Sequence, residues 1–136
     1  MPAKHNFSFN RKSALKLKSE IQDMFANSDK TDYKIFKSIN YYKLNVSNGS
    51  VKVFISVPKK CLNKATDRNQ VKRRIREAIR LNYHSLKLLC KTNNIELFYG
   101  VVWLRDYICE YDIIEQNIVL SLQDLYNNIY EKIQNP

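Results

Sequence analysis

Apolar residues recur along this chain at two different spacings, which separate predicted helices from predicted strands. In residues 14–25 an apolar side chain returns every three or four positions, which is the period of an amphipathic helix. The same period returns over residues 67–89 and again over residues 111–133. These three segments are therefore predicted to be helices, each with one apolar face that packs against the rest of the domain.

Three other segments are typical of β-strands. Residues 33–46 are rich in isoleucine and tyrosine, and residues 51–57 alternate β-branched residues with others. Residues 95–104 form a nearly continuous apolar run, as expected for a central strand that is covered on both faces. The polar residues 47–50 contain Asn followed by Gly, and they predict a hairpin turn between the first two strands.

The predicted order is helix, strand, strand, helix, strand, helix, within 136 residues that leave little room for a second core. We expect an α+β fold in which the helices pack against a small mixed sheet, as a single domain over residues 1–136 with an extended lead at residues 1–10. No apolar run approaches the roughly 18 residues of a membrane span, and residues 1–11 lack the apolar core of a secretion signal. We therefore expect a cytoplasmic protein with no membrane partner.

Positive charge is concentrated in one part of the chain. The sequence carries 23 Lys and Arg against 13 Asp and Glu, a formal net charge of +10. Residues 59–80 hold nine of the basic residues and two acidic ones, whereas residues 81–136 hold four basic and seven acidic residues. Five of the seven arginines fall within residues 68–80, and clustered arginine indicates a phosphate-binding surface.

The helix predicted over residues 67–89 separates this charge from its apolar side. At about 100° per residue, the apolar positions lie within one arc and most basic positions lie roughly opposite. The apolar arc contains Val71, Ile75, Ala78, Ile79, Asn82, Leu86 and Leu89. The opposite side contains Asn69, Lys72, Arg73, Arg76, Arg80 and Lys87. A solvated helix normally mixes charges of both signs, whereas only Glu77 lies near this face, so we interpret it as a nucleic-acid-binding ridge.

The loop and the helix also carry a specific pattern of residues. Ser56-Val57-Pro58-Lys59-Lys60 is followed by Lys64-Ala65 and then by Arg68-Asn69-Gln70-Val71-Lys72-Arg73-Arg74-Ile75-Arg76-Glu77-Ala78. This run resembles the signature of the bacterial ribonuclease P protein component, which is a strand ending in S-V-x-K-K, a short loop, and R-N-R-x-K-R-x-x-R-E-A on a helix. The resemblance extends over nearly the whole chain, and its specific part lies within residues 51–82.

The resemblance implies a protein cofactor of a ribozyme, whose RNA subunit uses Mg²⁺ to hydrolyse the bond that releases the 5′ leader of precursor tRNA. The implied partners are the ribonuclease P RNA and precursor tRNA, and no protein partner is required. The residues expected to face RNA are Lys59, Lys60, Lys64, Arg68, Asn69, Lys72, Arg73, Arg76 and Arg80. Ile21 and Phe25 are expected to contact the leader, because they occupy positions of the first helix where the family usually has aromatic residues.

Two positions depart from the family pattern. Gln70 stands where the family usually has a second arginine, so a hydrogen-bond donor is kept and a charge is lost. Ala14 stands where an arginine commonly precedes Leu15. The resemblance also implies a left-handed strand-helix-strand crossover around the basic helix, although such crossovers are right-handed in about 98% of cases.

Side chains that would let the protein itself catalyse a reaction are not grouped in the sequence. Cys61, Cys90 and Cys109 are widely spaced and only two histidines accompany them, so we expect neither a disulfide framework nor a metal site. The acidic residues within 106–115 are interpreted as first-turn acids of the last helix. We predict no catalytic residue in the protein. Two alternatives stay open, a ribosomal or other structural RNA-binding protein and a protein whose basic helix enters the major groove of DNA.

Overall fold

The computed structural model describes residues 29–135 and contains, in that range, four strands and three helices. In chain order these are β1 (Asp29–Asp32), β2 (Phe36–Lys43), β3 (Ser50–Ser56), α1 (Ala65–Asn82), α2 (His84–Thr92), β4 (Glu96–Trp103) and α3 (Tyr111–Gln134). The helix predicted over residues 14–25, the extended lead and the leader-side residues Ile21 and Phe25 lie outside the described residues. No helix of the described range is long and apolar enough to cross a membrane.

The four strands form one mixed sheet in the order β1-β2-β4-β3. β4 is central, as predicted, and it pairs antiparallel with β2 and parallel with β3. Parallel neighbours need a crossover connection, and α1 and α2 supply it between β3 and β4. The α+β prediction is therefore confirmed, while the hand of this crossover stays a prediction.

The hairpin predicted at residues 47–50 is wrong, because β4 lies between β2 and β3 in the sheet. The connection instead passes the start of β4, where the Val46 N–H donates to the Asn94 carbonyl and the Ser50 N–H donates to the Ile95 carbonyl, both at 3.0 Å. Asn45 in this connection has a φ of 57°, a turn conformation that asparagine tolerates well. Residues 47–50 are therefore part of a connection that passes across the start of β4. β4 takes the central position because it buries more apolar surface there than it would at an edge of the sheet.

A hairpin does occur, one strand earlier than predicted. The segment predicted as one strand over residues 33–46 begins with a turn, in which the Tyr33 N–H donates to the Phe36 carbonyl at 2.7 Å. This turn joins β1 to β2, and Lys30 faces Ile39 across the pair. β1 has the sequence DKTD and is fully exposed, so it lacks the apolar alternation by which a strand is predicted.

The main core lies between the helices and one face of the sheet. Leu97, Tyr99, Val101 and Trp103 of β4 point to this side and are buried. The predicted apolar faces are confirmed: Val71, Ile75, Ala78 and Ile79 of α1 and Ile114, Ile118, Leu122, Leu125 and Ile129 of α3 are all buried. The buried hydroxyl of Tyr99 is satisfied by the Ser121 hydroxyl at 2.8 Å.

The basic helix predicted over residues 67–89 is two helices. α1 begins at Ala65, with Lys64 in the N-cap position, and it ends at Asn82. The break falls at Tyr83, whose side chain is buried in the core and whose N–H still donates to the Ile79 carbonyl. α2 starts after this break, and its residues Leu86 and Cys90 are buried in the same core as α1. Packing therefore breaks the helix although the apolar period in the sequence is continuous.

Gly49, in the connection between β2 and β3, lies very close to the backbone of α2. A Cβ atom at this position would lie 2.0 Å from the carbonyl oxygen of Cys90 and 2.8 Å from the Cα of Lys91. Both are backbone atoms of α2, so the Gly49→Ala variant is expected to lower the free energy of unfolding by about 1–3 kcal/mol. Urea unfolding measures this change. Asn48→Ala, at the exposed neighbouring position, is the matched control and should change stability by less than about 0.5 kcal/mol; equal stability of the two variants would contradict the prediction.

Candidate nucleic-acid interface

The loop before α1 and the outer side of α1 form a surface that we call the basic ridge. It consists of Lys59, Lys60, Lys64, Asn69, Lys72, Arg73 and Arg76. All of these residues are exposed except Lys72, which is half-buried. The loop follows Pro58, whose carbonyl accepts from the N–H groups of Cys61 and Leu62 at 3.0 and 3.3 Å. Because Leu62 is buried, the lysines around it are held at the surface.

The cations of the basic ridge form no ion pair with any carboxylate of residues 29–135. Lysines elsewhere in the described range do have partners, since Lys37 lies 4.0 Å from Asp32 and Lys52 lies 3.7 Å from Glu96. Unpaired cations on one side of a helix produce a positive potential that attracts polyanions. The ridge is therefore suited to bind several phosphates at once.

The other three arginines of the cluster have partners within the protein. Arg68 donates from Nη1 to the carbonyls of Leu62 and Asn63 at 2.9 and 2.8 Å, and Arg74 donates to the carbonyl of Cys109. Arg80 binds Glu77 with a two-pronged ion pair, from Nε to Oε1 at 2.9 Å and from Nη2 to Oε2. This hydrogen bonding lowers the pKa of Glu77 and raises that of Arg80. Periodicity alone does not separate these arginines from Arg73 and Arg76.

The sheet face turned away from the helices carries a second apolar cluster. Ile39 and Phe98 are buried there, with Tyr41, Phe54 and Val102 packed around them. The rings of Tyr41 and Phe98 stack, with centroids 5.6 Å apart and an angle of 26° between their planes. Aromatic faces of this kind suit the bases of single-stranded nucleic acid, because every base offers a π-face.

Lysines flank this second sheet face at both ends. The Nζ atoms of Lys43 and Lys52 lie 5.7 and 5.5 Å from the centroid of the Phe98 ring. At the opposite end, a cavity of about 440 Å³ is lined by apolar residues of β2 and β4 together with Lys30, Lys37 and Lys60. Because Lys60 also belongs to the basic ridge, the aromatic cluster and the ridge meet at this cavity.

The family resemblance implies that the leader lies in a cleft between the sheet and the first helix, but the residues of this second sheet face were not singled out from the sequence. The signal for this face was the alternation Lys37-x-Ile39-x-Tyr41-x-Lys43 in β2, which places lysines and aromatic residues on one face. The register shows that Tyr41 lies opposite Phe98 in β4, and that Phe98 lies opposite Lys52 in β3. Only the strand order brings these three residues together.

No cluster of three or more His, Cys, Asp or Glu residues within residues 29–135 is arranged to hold a metal ion. Burial raises the pKa of the Cys90 thiol to about 12 and also raises that of Cys109, so neither forms a thiolate at neutral pH. That the protein supplies no catalytic residue stays a prediction.

The Glu77 carboxylate lies on α1 near the basic ridge, where its negative charge lowers the positive potential of the ridge. Glu77→Gln removes a negative charge from the side of α1 that carries the cations, so we expect binding to a polyanion such as heparin to strengthen and its log–log salt slope to steepen by about one unit. Salt-gradient elution and titration at several salt concentrations measure both. Glu131→Gln, the same charge change at the far end of α3, is the control, and an equal response of the two variants would show that only net charge matters.

Known proteins resemble this chain in sequence and in fold. The family model described as ribonuclease P matches residues 9–106. The ribonuclease P protein component of Porphyromonas gingivalis is 25% identical over 131 residues, which cover 95% of this chain and 94% of that protein.

Solved structures show the same fold. The ribonuclease P protein of Staphylococcus aureus superposes with a TM-score of 0.61 at 19% identity, covering 84% of this chain and 97% of that one. The protein of Thermotoga maritima also gives 0.61 at 19% identity, covering 82% and 96%. Because the family model spans well over half of the sequence, and the signature on α1 and its loop lies within that span, the chain belongs to the ribonuclease P protein family, whose members are subunits of an endoribonuclease that processes tRNA.

Proposed function

We propose that this chain binds and positions RNA in a ribonuclease P holoenzyme, while the RNA subunit performs the hydrolysis that releases the 5′ leader. The single observation that carries this proposal is the basic ridge, a row of cations on a loop and one helix face without ion-pair partners in residues 29–135. Family membership supports the role in tRNA 5′ processing.

The basic ridge is proposed to contact the ribonuclease P RNA. Its six cations and Asn69 lie along one edge of the protein, which matches the charge of a structured RNA backbone better than a single anionic ligand. If about six phosphates are engaged, log affinity falls with log salt concentration at a slope near −5. Arg73 and Arg76 also present forked donors that match phosphate oxygens better than lysine does.

The second sheet face is proposed to hold the single-stranded 5′ leader. The stacked Tyr41 and Phe98 rings offer surfaces for bases. Lys43 and Lys52 lie beside these rings, where their positive charges attract the phosphates of the leader. Lys60 joins this face to the ridge, so one strand can pass from the leader site toward the RNA subunit. The leader contacts of Ile21 and Phe25 remain part of this proposal.

Mg²⁺ is proposed to bind mainly to the RNA subunit. Within the described residues, no three carboxylates come together to enclose this ion, which prefers oxygen ligands. Phosphate oxygens of the RNA supply such ligands. A cytoplasmic location and the absence of a required protein partner are further parts of the proposal.

A cleavage assay tests the proposed function. The purified protein is mixed with a bacterial ribonuclease P RNA and a precursor tRNA at low Mg²⁺ concentration, and release of the leader is followed over time. We expect faster cleavage than with the RNA alone. An unchanged rate, combined with tight binding to ribosomal RNA, would overturn the proposal in favour of a structural RNA-binding protein.

Tyr41→Ala tests the leader site separately. Loss of one stacked base costs about 1–3 kcal/mol, so we expect the holoenzyme to bind precursor tRNA about tenfold more weakly. Binding of leaderless mature tRNA should be unchanged, because the leader is the only part proposed to touch this face. Tyr130→Ala, which removes an exposed tyrosine from α3, is the control. Equal weakening of both tRNAs by Tyr41→Ala would contradict the assignment of this face to the leader.

A further inference from the structure

Arg68 differs from the exposed arginines of the basic ridge in what its guanidinium touches. It is half-buried in the first part of α1, and both hydrogen bonds of its Nη1 atom go to backbone carbonyls, of Leu62 at 2.9 Å and of Asn63 at 2.8 Å. Its backbone N–H donates to the carbonyl of Lys64 at 3.1 Å. The resemblance places this residue among those that face RNA, yet its closest partners belong to the protein.

The two carbonyls lie at the end of the loop that carries Lys59, Lys60 and Lys64. The first part of the loop is closed by the bonds to the Pro58 carbonyl and by the buried Leu62 side chain. Its last part has no comparable closure, because Lys64 in the N-cap position makes no capping hydrogen bond with its side chain. Within residues 29–135, the two Arg68 bonds are the side-chain hydrogen bonds that join this loop to α1.

We propose that Arg68 is a positioning residue that holds the loop against α1, so that its three lysines lie in line with Arg73 and Arg76. This inference rests on the proposed function of the ridge and adds a distinct role for one of its residues. A charged donor makes a stronger hydrogen bond to a carbonyl than a neutral one does. A loop that is ordered before binding loses less conformational entropy when its lysines engage phosphates.

The alternative role for Arg68 is a direct phosphate contact. Both hydrogens of Nη1 are used by the two carbonyls, whereas Nε and Nη2 retain three donors that can reach an anion. The two roles differ in what happens to the loop of the free protein. They also differ in whether the effect of Arg68 depends on the three lysines.

The first experiment measures amide hydrogen exchange in the free protein. Arg68→Met keeps an aliphatic side chain on α1 and removes the guanidinium. We expect the Cys61 and Leu62 amides to exchange at least about tenfold faster, since Leu62 loses the bond that joins its carbonyl to α1, while β4 amides stay protected. Arg73→Ala, an equal loss of charge from the same helix, should leave the loop unchanged. Unaltered exchange in Arg68→Met would overturn the proposal.

A variant that loses the global fold is recognised in the same data, because its β4 amides would exchange faster as well. Arg68→Gln then replaces Arg68→Met, since its amide keeps a polar side chain whose reach is too short to span both carbonyls. Selective loop exchange in either folded variant supports the positioning role. Protection of the loop in a folded variant that lacks the guanidinium contradicts it.

The second experiment is a double-mutant cycle on binding to ribonuclease P RNA. We expect Arg68→Met to flatten the log–log salt slope by more than one unit, because several lysine contacts weaken together. In a protein with Lys59, Lys60 and Lys64 replaced by alanine, the same substitution should have little further effect. A change of about one unit in both backgrounds, the behaviour expected of Arg73→Ala, would assign Arg68 a direct phosphate contact instead.

The two experiments separate failure of this inference from failure of the proposed function. Hydrogen exchange needs no RNA, so it tests the loop tether even if the wild-type protein does not bind ribonuclease P RNA. If the wild type fails to bind that RNA while the loop responds as expected, the proposed function is wrong and the tether stands.

Discussion

β4 pairs with β2 on one side and with β3 on the other, and its side chains are buried on both faces of the sheet. Leu97, Tyr99, Val101 and Trp103 close the core under the helices, while Phe98 anchors the second apolar cluster. The rest of the structure depends on this central strand. Because β3 runs parallel to β4, α1 and α2 must cross from one strand to the other. The loop before α1 therefore follows the last residue of β3.

This topology explains why the two parts of the candidate interface adjoin each other. The loop that follows β3 lies beside the last residues of β4, where the Cys61 thiol donates to the Trp103 carbonyl at 3.5 Å. Lys60 consequently lines a cavity with residues of β2 and β4. The cationic loop before α1 and the aromatic sheet face, which come from different parts of the sequence, therefore adjoin each other.

The charges of the ridge are organised by hydrogen bonds as well as by helical periodicity. Arg73 and Arg76 are exposed, whereas Arg74 binds the Cys109 carbonyl and Arg80 binds Glu77. Arg68 turns back to the loop. Three of the five clustered arginines therefore have a partner within the protein, whereas Arg73 and Arg76 are exposed.

Features that arise from a local sequence pattern were predictable, whereas features that arise from contacts between distant residues were not. The buried faces of α1 and α3 and the apolar run of β4 were predictable, because burial imposes a local period on the sequence. The break at Tyr83 was not predictable, since it depends on where Leu86 and Cys90 find space in the core. The hairpin at residues 47–50 was predicted wrongly, because turn residues do not show whether a third strand will lie between two others.

The same distinction applies to the residues of the candidate site. The positive ridge and the family were predictable from the residues alone, since the cations and the specific signature lie in one loop and one helix. That Tyr41, Phe98 and Lys52 share one face, and that Arg68 bonds the loop, depends instead on contacts in the folded protein. Strand order and side-chain partners arise from contacts between distant segments, and no local pattern of residues encodes them.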